Sequence, residues 1–503
     1  MLAALRSATL AGVDGQPVTV EVHVSNGLPG YQVVGLPDTA VRESRERVRA
    51  ALLSSGLDWP MRRITVNMAP GGVRKTGAGL ELAVALGLLL AGDELPQGVL
   101  DEVAVLGELG LDGTVRPVPG VLALVDAAAR AGAHAVVVPE DNAREAALVG
   151  GVEVRPARAL AELRACLKGE EPWPSPPDEP PVDVEASAGW GDDEPLDLAD
   201  VRGLANARRA LEAAAAGGHH LLLTGAPGVG KTMLARRLPT ILSALERDEA
   251  LEVTRIHSVA GSAPRHGLAE RPPFRAPHHT ASVAALVGGG SRRPHPGEVT
   301  LAHRGVLFLD ELGEFPPSAL NALRQPLEDR AVRIARQAVS LTFPADFQLI
   351  ATSNPCPCGL GGPACHCSDV QRARYRRRLS APLLDRFDLR LEVRAPEPGD
   401  VHGEPSAAVR DRVAAAVGRQ RWRYADWGWR RNAHIPAGVL ARMVPLTGGA
   451  DDAWRWVMEE RGLTGRGAVR VRRVARTLAD LDDADMVSDA HVLSATLLRD
   501  DVP

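Results

Sequence analysis

Three apolar runs in the middle of the chain each end in polar residues. They are His220–Thr224, Val306–Leu309 and Leu349–Ser353, and helix-like stretches separate them. Continuous apolar runs of this length are typical of parallel strands that are covered on both faces. Such sheets carry their functional side chains at the carboxyl ends of the strands. The pattern therefore predicts an α/β domain whose central parallel sheet has a site at one edge.

The two flanking parts of the chain have different patterns. Val18–Val24 alternates apolar and polar residues like a half-buried strand, whereas Thr39–Leu53 and Leu122–Ala131 have helical periodicity. From Val401 onward the pattern is helical and rich in arginine. These patterns predict an α+β domain before the central sheet and a helical domain after it.

The segment Gly169–Asp197 separates the N-terminal domain from the rest. It holds ten acidic residues, no basic residue and many prolines. This composition cannot bury a core and is typical of an extended linker. The predicted organisation is a domain over residues 1–168, a linker over 169–197, a sheet-containing core over 198–398 and a helical domain over 399–503.

Composition argues against a membrane-spanning chain and leaves nucleic acid open as a partner. The longest apolar run, Leu82–Gly92, has roughly half the length that crosses a bilayer, and the N-terminal stretch lacks the cleavage site of a signal peptide. We therefore expect a cytoplasmic protein without a membrane partner. The net charge of −5 is compatible with a locally basic surface.

A phosphate-binding motif follows the first apolar run. It fits G-x-x-x-x-G-K-[ST] and consists of Gly225, Ala226, Pro227, Gly228, Val229, Gly230, Lys231 and Thr232. The glycines let backbone N–H groups close around phosphates, Lys231 reaches the β and γ phosphates, and the Thr232 hydroxyl can bind Mg²⁺. The motif predicts a site for ATP and Mg²⁺.

The other two runs lead into further candidate catalytic residues. Asp310 and Glu311 follow the second run, as expected of a strand that delivers one carboxylate to Mg²⁺ and one to the attacking water. An acidic pair can also cap a helix, but the phosphate motif upstream favours the catalytic role. Asn354 follows the third run and is predicted to hold the water or the γ phosphate.

Four of the five cysteines form a compact cluster. Cys356 and Cys358 make one C-x-C pair, and Cys365 and Cys367 make another six residues later. Four thiolates at this density can surround one tetrahedral Zn²⁺. His366 could replace one of them, and four unrelated buried thiols are the alternative. The spacing predicts a zinc site beside Asn354.

Two segments are candidate contacts for nucleic acid. Gln371–Arg378 has five arginines in eight residues, and Gln420–Arg431 interleaves aromatic residues with arginines. Guanidinium groups bind phosphates, and aromatic rings stack on bases. A subunit interface is the alternative for the first segment. For the second it is a helical core with arginines extending to solvent.

Longer segments resemble the ComM/YifB family of magnesium-chelatase-like AAA+ ATPases. The matching segments are Gly27–Leu52, Phe274–Gly290, Pro296–Phe315, Leu323–Asp329, Asn354–Gly359 and Val474–Leu481. The resemblance implies a homo-oligomeric ring, with six subunits expected, that hydrolyses ATP while acting on single-stranded or branched DNA. It further implies branch migration or helicase activity in homologous recombination or natural transformation.

The resemblance also assigns roles to individual residues. Arg386, in the segment Leu383–Leu389, corresponds to an arginine finger that acts on the neighbouring subunit. Arg466 corresponds to a second sensor of the nucleotide, with Arg470 as the alternative. The element Pro277–His279 lies in an insertion that faces the central pore in related motors, which makes it a further candidate DNA contact.

The first 165 residues resemble the proteolytic domain of the Lon family, most clearly over Gly107–Asn142. That family uses a serine that is activated by a lysine. Gly77 and Leu122 stand nearest to those two positions, and neither can attack a carbonyl or activate a nucleophile. We therefore expect no peptidase activity and assign this domain to assembly or substrate contact.

Other functions remain open at this point. A magnesium-chelatase ATPase subunit would match residues 200–500 but normally lacks the Lon-like domain and the cysteine cluster. An ATP-dependent protease needs the missing serine and lysine. An ATP-driven remodeller of a protein partner is a further alternative, whereas a scaffold without hydrolysis is disfavoured by Lys231, Asp310 and Glu311.

Overall fold

The computed structural model describes residues 1–77, 79–175, 196–264, 267–290, 294–336, 339–395, 403–461 and 463–499. Contacts divide the chain into two compact units. Unit 1 holds the described residues of Met1–Ser187 and Arg247–Ala269, and unit 2 holds those of Ala188–Glu246 and Glu270–Pro503. Most of the predicted linker 169–197 lies outside the described residues.

Unit 1 is a mixed sheet covered by helices on both faces. Its strands are β1 (Leu2–Ala11), β2 (Asp14–Ser25), β3 (Gly30–Val34), β4 (Arg63–Ala69), β5 (Val103–Val105), β6 (Glu108–Leu109), β7 (Val115–Arg116), β8 (Ala135–Pro139) and β9 (Glu153–Ala157). Seven of them form one sheet in the order β3-β4-β2-β1-β5-β8-β9. Its first five helices are α1 (Thr39–Ser54), α2 (Glu81–Ala91), α3 (Val121–Arg130), α4 (Ala143–Ala147) and α5 (Leu160–Lys168).

Alternation along the strands explains the two covered faces. Val103 and Val105 belong to the core cluster that includes α2, whereas Ala104 between them belongs to the cluster that includes α3. Successive side chains of a strand point to opposite faces. The run Leu82–Gly92, which begins inside α2, is thus a buried core helix. No helix among the described residues is long and apolar enough to cross a membrane.

One helix of unit 1 comes from a distant part of the chain. Helix α9 (Arg247–Val259) follows three α-helices and one strand of unit 2 (residues 205–241) in sequence, yet it buries Val253 and Ile256 in unit 1. Gly120 N, at the start of α3, donates to Ser258 O at 3.2 Å. The sequence division placed residues 247–269 in the ATPase core, and the contacts of α9 correct that boundary.

Unit 2 contains the predicted parallel sheet. Its strands β10 (Leu221–Thr224), β11 (Phe274–Arg275), β12 (Val306–Leu309), β15 (Gln348–Ser353) and β16 (Leu389–Glu392) lie in the order β11-β12-β15-β10-β16, and every pair is parallel. Strands β13 (Ala331–Arg336) and β14 (Val339–Pro344) form a separate antiparallel pair. The predicted α/β fold is confirmed.

Helices surround this sheet and continue beyond it. Those within the sheet region are α6 (Ala205–Gly217), α7 (Lys231–Arg236), α8 (Leu238–Ile241), α10 (Val283–Val287), α11 (Glu298–Leu301), α12 (Pro317–Ala322), α13 (Arg324–Asp329), α14 (Asp369–Arg378) and α15 (Ala381–Leu384). The C-terminal helices are α16 (Ser406–Arg423), α17 (Leu440–Met443), α18 (Gly448–Glu460), α19 (Gly465–Leu481) and α20 (Asp489–Leu497). Residues of α6, α7 and α8 share one hydrophobic core with residues of α16–α20, so the structure does not separate residues 399–503 from the core as the sequence division did.

A buried ionic cluster joins α16 to α19. The Asp480 side chain is fully buried and accepts from Arg476 at 2.8 Å, from Arg423 at 2.6 Å and from Asn432 at 2.8 Å. Arg423 and Arg476 share this one carboxylate as their counter-ion. Removing one partner of such a cluster leaves uncompensated charge in a low-dielectric interior.

We expect Asp480→Ala to lower the free energy of unfolding by about 3–5 kcal/mol, because Arg476 would keep its buried charge without a counter-ion. Chemical denaturation followed by tryptophan fluorescence measures this change. Asp452→Ala is the control, since its carboxylate is 76% exposed and lies 3.4 Å from Arg455. Equal effects of the two substitutions would contradict a stabilising role of the cluster.

Candidate active site

A cleft of about 570 Å³ opens at the carboxyl ends of β10, β12 and β15. It is lined by residues 227–232 of the phosphate motif, Asp310, Glu311 and Asn354. Residues that are far apart in sequence therefore meet at one edge of the sheet, as the apolar runs predicted. Asp200, Arg202 and Leu204 also line the cleft, and no motif in the sequence pointed to them.

The phosphate motif, hereafter the phosphate loop (Gly225–Thr232), is shaped by its glycines. Gly228 has φ +81° and Gly230 has φ +94°, a left-handed conformation that other residues adopt at a cost. A Cβ on Gly225 would lie 2.4 Å from Val393 O, so only glycine fits there. Helix α7 begins at Lys231 directly after this turn.

The Lys231 ammonium lies across the phosphate loop. Its Nζ donates to Gly225 O at 2.7 Å, to Ala226 O at 2.8 Å and to Asn354 Oδ1 at 3.2 Å. Burial lowers the pKa of Lys231 below its usual range, while the nearby Asp310 and Glu311 act in the opposite direction. These three bonds hold the ammonium within the phosphate loop and beside Asn354. The predicted sensor Asn354 and the phosphate lysine are in direct contact.

The two predicted Mg²⁺ ligands are also adjacent. Thr232 Oγ1 lies 3.1 Å from Asp310 Oδ1 and 3.2 Å from Oδ2. The Thr352 hydroxyl donates to the same carboxylate. Hydroxyl and carboxylate oxygens are ligands that Mg²⁺ prefers. The role of Thr352 in orienting Asp310 was missed, although a hydroxyl within the apolar run Leu349–Ser353 was a signal.

Glu311 has a strained backbone. Its φ is +52°, which is uncommon for a residue with a side chain, and its N–H donates to Thr352 Oγ1 at 3.1 Å. The side chain is exposed to the cleft, in contrast to the strand residues that precede it. An exposed carboxylate beside the Mg²⁺ ligands is suited to accept a proton from water.

The three predicted arginines line a second cleft. Arg386, Arg466 and Arg470 border a cavity of about 880 Å³ within unit 2, and none of them lines the phosphate cleft. Arg386 pairs with Glu328 at 2.8 Å, and Arg470 lies 3.3 Å from Asp388. A single chain therefore does not bring these arginines to Lys231.

The four cysteines form a compact sulfur cluster. Cys356 Sγ lies 3.3 Å from Cys358 Sγ and 3.5 Å from Cys365 Sγ, and all four sulfurs, including that of Cys367, lie within 4.8 Å of one another. A disulfide needs about 2.05 Å, whereas four thiolates at about 2.3 Å from one zinc lie about 3.8 Å apart. The spacing fits a tetrahedral metal site. His366, the alternative ligand, is not part of the cluster.

The first basic segment, Gln371–Arg378, lies in α14, and several of its arginines are exposed. Tyr375 is buried against Gly313, whereas Arg374, Arg376 and Arg377 are exposed. None of these three arginines makes an ion pair within the part of the chain that the structure describes. Much of the positive charge of this segment is therefore exposed on α14, and its role as a nucleic-acid contact stays a prediction.

The second basic segment is mainly core. Tyr424 is buried, Trp427 and Trp429 pack half-buried against the core with ring centroids 4.6 Å apart, and Arg423 is bound to Asp480. Only Trp422, which is 85% exposed, could stack on a base. The structure favours the core interpretation for this segment. The rings of His278 and His279 are in tilted contact with centroids 4.0 Å apart, and neither residue is part of a metal cluster among the described residues.

The Lon-like positions carry no nucleophile. Gly77 N donates to Asp38 Oδ2 at 3.1 Å, Leu122 is buried in α3, and Ala78 lies outside the described residues. Lys75 is fully buried and donates to Pro70 O, and burial lowers the pKa of its ammonium.

Comparison with known proteins identifies the family. Residues 197–401 match the family model described as magnesium chelatase, subunit ChlI, and residues 20–142 and 403–499 match the models for subunit ChlI of Mg-chelatase and for its C-terminal part. An uncharacterised protein of Mycobacterium tuberculosis is 47% identical over 94% of each chain. YifB of Escherichia coli is 41% identical over 99% of this chain and 97% of its own. The competence protein ComM of Haemophilus influenzae is 39% identical over 98% and 96%.

The chain belongs to the ComM/YifB family of magnesium-chelatase-like AAA+ ATPases. The predicted resemblance is confirmed over the full length. A weaker similarity links the N-terminal region to Lon protease 2 of Bacillus subtilis, which is 29% identical over 32% of this chain and 33% of its own. ATP and Mg²⁺ are the nucleotide and metal that this family implies.

We expect Lys231→Ala and Glu311→Gln to separate binding from hydrolysis. The first removes phosphate contacts and should weaken ATP binding, whereas the second keeps the cleft and should slow turnover by roughly 10²–10⁴ through loss of the general base. Binding of a fluorescent ATP analogue and phosphate release measure the two effects. Glu314→Gln, outside the cleft, is the control. Normal hydrolysis by Glu311→Gln would show that the carboxylate is not the base.

Proposed function

We propose that this AAA+ ATPase is a ring motor that acts on single-stranded or branched DNA. The activity is branch migration or unwinding in homologous recombination or natural transformation. The observation that carries the proposal is the exposed arginine surface of α14, which follows Asn354 of the phosphate cleft along the chain. The full-length similarity to the competence protein ComM supports it.

The arginine surface can contact a phosphate backbone without base specificity. Arg374, Arg376 and Arg377 carry three guanidinium groups within one turn of helix and have no acidic partner among the described residues. Lysine and arginine contacts to phosphates release counter-ions, which gives sequence-independent, salt-sensitive affinity. Only the cysteine loop (residues 355–367) and Ser368 separate Asn354 from this helix. A γ-phosphate-dependent shift of Asn354 would therefore be transmitted to the DNA contact over a short path.

A ring explains the separation of the two clefts. Arg386 lies in the second cleft and reaches no phosphate-loop residue of its own chain. Arginine fingers supplied by a neighbouring molecule stabilise the transition-state charge on the γ phosphate. We assign this role to Arg386 and a nucleotide-sensing role to Arg466, with Arg470 as the alternative, in a homohexamer.

The remaining parts receive supporting roles. The four cysteines are proposed to bind one Zn²⁺, and the cytoplasm, where disulfides are rare, keeps such thiols available as ligands. The N-terminal domain is proposed to serve assembly or substrate contact without peptidase activity, because Gly77 and Leu122 offer neither a nucleophile nor a base.

A magnesium-chelatase ATPase subunit is the second candidate, and the names of the three matching family models favour it. That function requires a partner complex in which magnesium is inserted into a porphyrin. The full-length similarity to ComM, which includes the Lon-like region, favours the DNA motor. DNA-stimulated turnover separates the two candidates.

We expect ATP turnover of the purified protein to rise with single-stranded or branched DNA. The double variant Arg374→Gln/Arg377→Gln should weaken DNA binding on the order of 10-fold and reduce the salt dependence of binding, because two phosphate contacts are lost. Its turnover without DNA should stay within about twofold of the unmodified protein, since neither arginine lines the phosphate cleft.

The control for charge is Arg455→Gln/Arg461→Gln, which removes the same charge from two exposed positions, one within α18 and one directly after it. It should leave the DNA response unchanged. No response of the unmodified protein to any form of DNA would contradict the DNA motor. A full response in the α14 variant would contradict the assignment of α14 alone.

A further inference from the structure

The cysteine loop (residues 355–367) is in direct contact with the phosphate loop. Gly359 has φ +80°, and a Cβ at this position would lie 2.7 Å from both Cγ and Cδ of Pro227. The backbone of Gly359 therefore packs against the Pro227 ring. Pro227 is a wall of the phosphate cleft, so a displacement of the cysteine loop displaces that wall.

The cysteines determine where Gly359 lies. Gly359 N donates to Cys356 O at 2.9 Å in a tight turn, and Cys356 is almost fully buried. Cys358 Sγ, one residue before Gly359, lies 3.7 Å from Cys365 Sγ in the second half of the loop. A metal held by both pairs cross-links the two ends of the loop and fixes the turn between them.

The same loop is tied to the nucleotide sensor. Pro355 directly follows Asn354, whose Oδ1 accepts from Lys231 Nζ at 3.2 Å. A Cβ on Gly361 would lie 2.8 Å from Pro355 Cγ, so the loop packs back on its own first residue. The cysteine loop thus contacts the phosphate site at Pro227 and is covalently joined to it at Asn354.

We propose that Zn²⁺ bound by Cys356, Cys358, Cys365 and Cys367 holds the cysteine loop against Pro227, and that zinc occupancy thereby sets the nucleotide affinity of the phosphate loop. The inference rests on the proposed ATP and zinc sites and adds a coupling between them. Metal binding at clustered thiolates orders the segment that carries them. Without its metal, the cysteine loop no longer holds Pro227 in place. Nucleotide binding then has to order the cleft, and this cost lowers the affinity.

The contact is tested with glycine variants of matched backbone strain. Gly359→Ala places a methyl group against Pro227, whereas Gly362→Ala has a positive φ of +50° but meets nothing within 4 Å. We expect Gly359→Ala to raise the dissociation constant of fluorescently labelled ADP by about tenfold, with Gly362→Ala within about twofold of the unmodified protein. Equal affinities for Gly359→Ala and the unmodified protein would overturn the contact.

A second substitution protects this test against simple misfolding. Pro227→Ala removes the ring that the new methyl group would strike. In Pro227→Ala/Gly359→Ala the affinity should therefore recover towards that of Pro227→Ala alone, a non-additivity that measures the contact itself. Additive losses would show that Gly359→Ala acts by another route.

Zinc is tested with the full-length protein purified without a metal-affinity column. Elemental analysis should give about one zinc per chain, and Cys365→Ser should lose it and weaken binding of labelled ADP. In the Pro227→Ala background, where the contact is absent, Cys365→Ser should have little further effect. Protein without zinc would overturn the metal site, while the glycine variants still report on the loop contact. Zinc-bound and zinc-free proteins with equal ADP affinity would overturn the coupling.

Discussion

The backbone pairing of β10, β12 and β15 determines where the phosphate loop, Asp310, Glu311 and Asn354 meet. Thr224 pairs with Ser353, and Leu309 pairs with Ala351, so the three strands end at nearly the same level. Gly225, Asp310 and Asn354 are the residues that directly follow these three strands. The phosphate loop and the side chains of Asp310 and Asn354 therefore meet at one edge of the sheet. A shift of one residue in the pairing register of a strand would turn its side chains to the opposite face of the sheet, and the residues of the site would no longer meet.

This dependence explains which features could be predicted from the sequence. An apolar run that ends in polar residues predicts both a buried strand and a site at the end of that strand. Lys231, Asp310 and Asn354 follow three such runs, so they could be predicted to lie in the same site. The cysteine cluster was predictable because its four cysteines are close in sequence. Thr352 was missed because its role depends on the pairing of β15 with β12, which brings its hydroxyl to Asp310.

Features that depend on distant packing were not predictable. Helix α9 follows unit 2 elements in sequence, yet its apolar face is buried in unit 1, and local periodicity does not specify which core a helix joins. The aromatic segment after Gln420 had two compatible interpretations. Burial of Tyr424 and pairing of Arg423 with Asp480 favour the core, and neither fact is visible in the spacing of the residues.

The proposed ring motor depends most on a site shared between chains, since Lys231 and Arg386 lie in different clefts of one chain. Arg386→Ala chains keep an intact phosphate loop but lack the arginine finger, whereas Lys231→Ala chains keep the finger but lack the phosphate lysine. Each variant alone should therefore turn over ATP at least about 10³-fold more slowly than the unmodified protein. In randomly mixed rings about a quarter of the interfaces pair an intact loop with an intact finger.

The decisive measurement is phosphate release after the two variants are mixed in equal amounts under conditions where subunits exchange. The control is a mixture of Lys231→Ala with Lys231→Ala/Arg386→Ala, which contains no intact interface. Recovered turnover in the first mixture and none in the control is the predicted result. Turnover by Arg386→Ala alone at the rate of the unmodified protein would contradict the shared site.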